Sequence, residues 1–203
     1  MTDRVVYKKT PRKFFDLLLF FMEPSSYAFG VPIWIIRASS NYHEKEYPKL
    51  IKEAYRIEKN KPNENEYDGW STQGGYNSGI LLPNEMIRIS KYVISKLNIL
   101  NLPFPYTITN GWLNINRKGD HNLPHDHSML GLSVVFFLTA DNSKFTLINP
   151  NHMPNEIGKY FYEDYTPNCN AGDVLVFPSN YTHYVKPNDT DEDRITSAFN
   201  IVT

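Results

Sequence analysis

The sequence predicts a mainly β protein, a sandwich or barrel buttressed by helices from its first half. Three observations carry this. Beyond residue 105, short β-prone runs follow one another, punctuated by Pro, Gly, Asn and Asp at all-β intervals. Before it, two segments repeat apolar residues at helical spacing. With 203 residues, 41% hydrophobic and 14% aromatic, the chain can bury the core of one domain.

In chain order, "RKFFDLLLFFMEPSS" (12–26) sets basic residues before an apolar stretch and loosely mimics a signal peptide. Asp16 interrupts it and Glu23 closes the run Leu17 to Met22, too short to span a membrane; a core-facing helix is expected. "VPIWIIRAS" (31–39) reads as a strand, rich in β-branched and aromatic residues. "YPKLIKEAYRIEK" (47–59) puts Tyr47, Leu50, Ile51, Ala54 and Tyr55 on one helical face. A polar loop (60–70) comes next. A second helix is expected from Pro83 and Asn84, the latter as N-cap, to about Leu97, with a stripe of Met86, Val93 and Leu97.

The β-prone runs are 106–117, 131–140, 143–149, 173–179, 183–187 and 194–202. No repeat and no linker divides the chain, so residues 1–203 are read as a single domain. Residues 1–105 form its mixed α/β support and 106–203 its β core.

Charge excludes some partners. Formal net charge is −1, from 21 Lys and Arg against 22 Asp and Glu. Neither nucleic acid nor an anionic membrane is an expected partner. The single Cys169 makes no internal disulfide and no thiolate cluster, which suits a reducing cytoplasm.

Six histidines remain as candidate chemistry: His43, His121, His125, His127, His152 and His183. Single histidines are usually structural or exposed, and His43 and His152 are read so. "NLPHDHSML" (122–130) differs. On a strand, alternate side chains share a face, so His125 and His127 point one way and Asp126 the other. Paired neutral imidazoles suit a divalent metal, while a solvated loop is the plainer alternative.

Downstream, "AGDVLVFPSNYTHYVKP" (171–187) reads as a turn at Gly172 and Asp173, a buried strand, a corner, and His183 opening the next strand. Two ligands from one strand cannot fill a coordination sphere, and His183 supplies a third from another. In the last strand Arg194, Thr196, Ala198 and Asn200 share a face by alternation. Turned inward, the guanidinium needs an anion, and a bound carboxylate could supply it. Turned outward, Arg194 pairs with Asp191, Glu192 or Asp193 at the surface.

The order HxH, "GDVLVFPSNYTHYVKPN" and "DRITSAFNI" resembles the Fe(II)- and 2-oxoglutarate-dependent oxygenases. More narrowly, it is similar to the bacterial and phage group with a prolyl-hydroxylase-like double-stranded β-helix. "GWLNINRKGDHNLPHDHS" and "LSVVFFL" also fit that group, and the likeness covers roughly residues 106–203. The resemblance implies a jelly-roll fold, Fe(II) and 2-oxoglutarate as cofactors, O2 as co-substrate, and hydroxylation of a C–H bond. It implies His125, His127 and His183 as metal ligands, Arg194 as the clamp on the far carboxylate of 2-oxoglutarate, and Thr196 as a helping hydroxyl. Asn114 and Asn200 would line the pocket, with Trp112, Ser133 and Phe137 near them.

One departure stands out. The usual facial triad is two histidines and a carboxylate. This chain has no His-x-Asp or His-x-Glu, and His127 stands where the acid would be. Asp126 ligates only if the strand is bulged, and His121 is too loosely placed to prefer.

Two other classes stay open: a three-histidine enzyme of cupin-dioxygenase or zinc-hydrolase type, and a non-catalytic β-sandwich module. The expected substrate is a peptide or small molecule. Residues 1–105 and the loops 60–83 and 150–170 are expected to shape the entrance. Their aromatics Trp70, Tyr76, Tyr160, Phe161, Tyr162 and Tyr165 either contact substrate or fill the core.

Overall fold

The computed structural model describes residues 6–7, 26–64, 71–100, 102, 104–127, 131–142, 144–150 and 163–202. The helix expected over 12–26 lies outside the described residues, apart from Ser26, which the structure places at the start of a strand. Trp70, His152, Tyr160, Phe161 and Tyr162 also lie outside them.

Twelve strands and two α-helices are described. In chain order they are β1 (Val6–Tyr7), β2 (Ser26–Ala28), β3 (Val31–Ile36), α1 (Tyr47–Asn60), β4 (Thr72–Gln73), β5 (Tyr76–Asn77), α2 (Ile87–Leu100), β6 (Tyr106–Asn116), β7 (His121–His125), β8 (Leu132–Phe137), β9 (Phe145–Leu147), β10 (Val174–Pro178), β11 (His183–Val185) and β12 (Arg194–Val202). Every pairing between strands is antiparallel. A large sheet runs β1-β6-β12-β8-β10-β3-β2, with β5 also on β6, and a smaller sheet runs β4-β7-β11-β9.

The central strands β8 and β10 read as near-continuous apolar runs, broken in β8 by Ser133, because both their faces are covered. Val134, Phe136, Val174 and Val176 face the helices, in one cluster with Leu50, Ala54, Ile57, Ile89, Val93 and Leu97. Val135, Phe137, Leu175 and Phe177 turn the other way and meet Phe145, Leu147 and Val185 of the smaller sheet. Each buried Phe or Leu contributes about 1.5–3 kcal/mol. At the turn before β10, Gly172 adopts φ +89°, and a Cβ there would meet Ala38 and the Tyr42 ring at 2.7 Å. Only glycine fits.

Two helix expectations need correction. Tyr55 is 40% exposed rather than part of the buried stripe, and its hydroxyl donates to Asp193 at 2.9 Å. The α1 core face is Leu50, Glu53, Ala54 and Ile57. α2 starts at Ile87, not at Asn84. Its first amides are satisfied from another helix: the buried Glu53 carboxylate accepts Arg88 N–H at 3.1 Å and Ile89 N–H at 2.9 Å. Because α1 supplies that cap, Asn84 has no capping task.

Candidate active site

β7 and β11 lie side by side, with His125 and His183 as register partners. His125 ends its strand. His127 lies two residues beyond it, so the two are not on one regular strand as alternation predicted. The backbone supplies another constraint: His127 N–H donates to Ser179 O at 2.9 Å, tying it to the corner after β10. The three rings still converge. Centroids are 4.3 Å apart for His125 and His183, 4.9 Å for His127 and His183, and 5.4 Å for His125 and His127. One ring nitrogen from each lies within 4.8 Å of the others.

Asp126 is exposed and contributes no atom to this group. His121 is also outside the group, with Nδ1 3.4 Å from Gly119 O. His43 is exposed, against the rings of Tyr42 and Tyr47.

The ring nitrogens are sorted by their partners. His125 Nδ1 lies 2.8 Å from Leu123 O, and His183 Nδ1 lies 2.9 Å from Tyr181 O. A carbonyl only accepts, so each Nδ1 carries the hydrogen and each Nε2 keeps its lone pair. His127 Nδ1 is 2.8 Å from the buried Ser133 hydroxyl. Burial lowers the pKa of all three imidazoles. It takes His127 down to about 4, aided by His125, and His183 well below the usual histidine value, aided by His125 and His127. Three neutral imidazoles with converging nitrogens form a donor set suited to Fe, Zn, Cu or Ni and unsuited to Mg or Ca. The residues present therefore fit an iron site.

The histidines share a small cavity with Trp112, Asn114, Arg194 and Thr196, walled further by Asn122, Val135, Phe145, Val185 and Ala198. The Trp112 ring meets His127 edge-on at 4.9 Å. Asn114 is positioned by a buried polar network. Its Oδ1 accepts from the Thr72 hydroxyl and from Asn77 Nδ2, both at 3.1 Å. Asn122 Nδ2 donates in turn to Thr72 Oγ1 at 3.0 Å and its Oδ1 accepts from Asn116 at 2.9 Å. With its oxygen engaged twice, Asn114 has its Nδ2 to offer the cavity.

Arg194 is buried in the cavity wall, on the inward face that alternation offered, and the acids beside it in sequence are not its partners. Asp191, Glu192 and Asp193 do not bind it. Asp141, in the turn between β8 and β9, accepts Nε at 2.8 Å and Nη2 at 2.5 Å through one oxygen, with both residues buried. No added carboxylate is needed to neutralise the guanidinium.

Three softer expectations are also corrected. Asn200 does not line the cavity; its Nδ2 donates to Asn110 Oδ1 at 3.3 Å beside His127. Phe137 lies fully buried under the Arg194 guanidinium, 5.9 Å from ring centre to Cζ. Ser133 acts on His127 rather than on the cavity. Tyr76 is buried core, and Tyr165 pairs by backbone with Leu147.

Residues that sequence reasoning missed are Asp141, Thr72, Asn77, Asn122 and Ser71, whose hydroxyl lies 3.4 Å from His125 Nε2. Among them only Asn122 stands near a motif, two residues from "PHDH".

Residues 110–200 match the model of a family described as "Putative 2OG-Fe(II) oxygenase". No relative is found among curated protein sequences. Solved structures share the fold at low identity. The carbocyclase SnoK from nogalamycin biosynthesis, described as non-heme and alpha-ketoglutarate dependent, superposes with TM-score 0.64 at 13% identity, covering 82% of this chain and 78% of its own. HygX from Streptomyces hygroscopicus gives 0.60 at 14%, covering 84% and 82%. A Trichoplax adhaerens prolyl hydroxylase gives 0.53 at 14%, covering 82% and 81%. The two antiparallel sheets are thus those of a double-stranded β-helix, and over residues 110–200 the chain is similar to the 2OG-Fe(II) oxygenase family.

Proposed function

We propose that this protein is an Fe(II)- and 2-oxoglutarate-dependent dioxygenase that hydroxylates a C–H bond of a peptide or small molecule. One observation carries the reading: three neutral imidazoles from two neighbouring chain segments converge in a cavity whose wall also holds a guanidinium and a hydroxyl. HygX, similar in fold, is described with nickel and 2-oxoglutarate bound.

In this reading His125, His127 and His183 hold the iron through Nε2. Arg194 and Thr196 receive the far carboxylate of 2-oxoglutarate, and Asn114 donates from the wall between them and the imidazoles. The bound iron and 2-oxoglutarate supply the oxidising power, with O2 consumed and succinate and CO2 released. The protein's own tasks are to keep three facial donors neutral and oriented, to leave coordination positions open, and to exclude water with Val135, Phe145 and Ala198. A hydrolytic zinc site has no use for a buried carboxylate clamp, which disfavours that class.

The whole chain is read as one domain. No described helix is long and apolar enough to cross a membrane, and the single, buried Cys169 accords with a cytoplasmic setting. The test is anaerobic titration of the Fe(II)-loaded protein with 2-oxoglutarate. A visible metal-to-ligand band, then succinate on admitting O2, supports the proposal; a protein that takes up iron but forms neither contradicts it.

A further inference from the structure

Arg194 is a carboxylate clamp only if the oxygenase reading holds, and the role assigned here to its partner rests on that reading. Asp141 is 53 residues distant in sequence, fully buried, and engages Arg194 through a single oxygen shared by Nε and Nη2. Its second oxygen is also committed: Oδ2 accepts the Phe145 N–H at 3.0 Å. The carboxylate therefore joins two walls of the cavity, β12 through Arg194 and β9 through Phe145, whose ring lies 5.2 Å from His183.

The surrounding backbone keeps the aspartate in place. Leu138 N–H donates to Ile195 O at 3.0 Å, Ile195 N–H donates to the Thr139 hydroxyl at 2.7 Å, and Lys144 N–H donates to Asp141 O at 3.2 Å. The Phe137 ring beneath the guanidinium adds a further support. Held by its Nε side, Arg194 keeps Nη1, which makes no hydrogen bond to the described residues, as the donor for an incoming anion.

Charge gives Asp141 a second task. The candidate ligand set is three histidines and no carboxylate, so it brings no negative charge of its own to a bound ion. The Arg194–Asp141 pair is itself neutral. A divalent ion and a dianionic 2-oxo acid then cancel in the cavity without a residual buried charge.

We propose that Asp141 is the positioning residue of the carboxylate clamp: it fixes and neutralises Arg194 so that Nη1 is presented to the distal carboxylate of the cosubstrate. D141N tests this, because an amide cannot accept at both ends. With Oδ1 toward Arg194, its Nδ2 meets the Phe145 N–H, donor against donor.

The experiment measures binding of 2-oxoglutarate, and of 2-oxobutyrate, which lacks the distal carboxylate, to Mn(II)-loaded wild type and D141N by calorimetry. The proposal expects 2-oxoglutarate to weaken by about tenfold or more, with 2-oxobutyrate and Mn(II) affinity changed by less than about twofold. In turnover, KM for 2-oxoglutarate rises while kcat at saturation holds. If D141N does not fold, D141E carries the same comparison, with a smaller loss for 2-oxoglutarate and none for 2-oxobutyrate. Equal weakening of both acids would make Asp141 a purely structural ion-pair partner and overturn the proposal. So would tighter 2-oxoglutarate binding, which would make it a competitor for the guanidinium. A wild type that binds Mn(II) but not 2-oxoglutarate would instead remove the oxygenase reading itself.

Discussion

His183 sits directly opposite His125 across the β7–β11 pairing, and their ring centroids are 4.3 Å apart. Both side chains repeat one local device, an Nδ1–H donated to the carbonyl two residues earlier. Two strands thus present the same nitrogen from opposite sides of one point.

Removing one of these rings should remove the metal. His183→Ala is expected to lower Fe(II) affinity by about 10- to 100-fold or more and to abolish 2-oxoglutarate turnover. Its fold should persist, since metal ligation is not what holds the sandwich together. Anaerobic Fe(II) binding with circular dichroism checks both; full occupancy in the variant would contradict the ligand role.

Arg194→Ala leaves the Asp141 carboxylate buried without its partner. The expected cost is about 3–5 kcal/mol of stability, along with loss of 2-oxoglutarate binding. Replacing both residues, as R194M with D141L, should recover part of that stability, less the cost of the orphaned Phe145 N–H, while binding stays lost. Denaturant unfolding separates the two effects, and a double variant that regains 2-oxoglutarate would show that the clamp lies elsewhere.

Asn114→Asp keeps both acceptor contacts to Thr72 and Asn77 but replaces the amide nitrogen with an anionic oxygen. Repulsion of a dianionic ligand should weaken 2-oxoglutarate binding by about tenfold or more, and burying the new charge should cost about 1–3 kcal/mol of stability. Calorimetry on the Mn(II)-loaded variant checks it. Unaltered affinity would place Asn114 in the scaffold only.

Alkaline pH should unfold the helix-facing core. Burial raises the phenols of Tyr42 and Tyr92 well above 10 and that of Tyr76 to about 12. Tyr42 and Tyr92 also donate to Leu138 O at 2.9 Å and Gly172 O at 2.8 Å. Unfolded tyrosines ionise near 10.0, so the unfolded chain loses protons first. The stabilisation is complete below that pH and is lost as pH rises through the folded values. Part of the tyrosinate absorbance should therefore appear only together with loss of circular dichroism. Complete tyrosine titration in a folded protein would contradict this.

The β framework was legible because its signals are local. β6, β8, β10 and β12 arise directly from β-branched and aromatic runs, and the inward face of β12 comes from alternation through Arg194, Thr196 and Ala198. The histidine group was legible too, although His127 reaches it through a backbone tie to Ser179 rather than through strand period. Partners brought together by the fold were not. Asp141 reads in sequence as an ordinary turn residue in "TADNS", and nothing local links it to Arg194. Glu53 reads as an exposed helix acid until its neighbour helix places two amides on it. The network around Asn114 adds Thr72, Asn77 and Asn122, three polar residues that each look like loop or surface chemistry alone.

The most direct test of the central claim is the ligand set of bound iron, measured by anaerobic Fe(II) titration followed by X-ray absorption at the iron edge. The predicted result is one Fe(II) per chain with three imidazole nitrogens. No stoichiometric binding, or two imidazoles with a protein carboxylate such as that of Asp126, would contradict it.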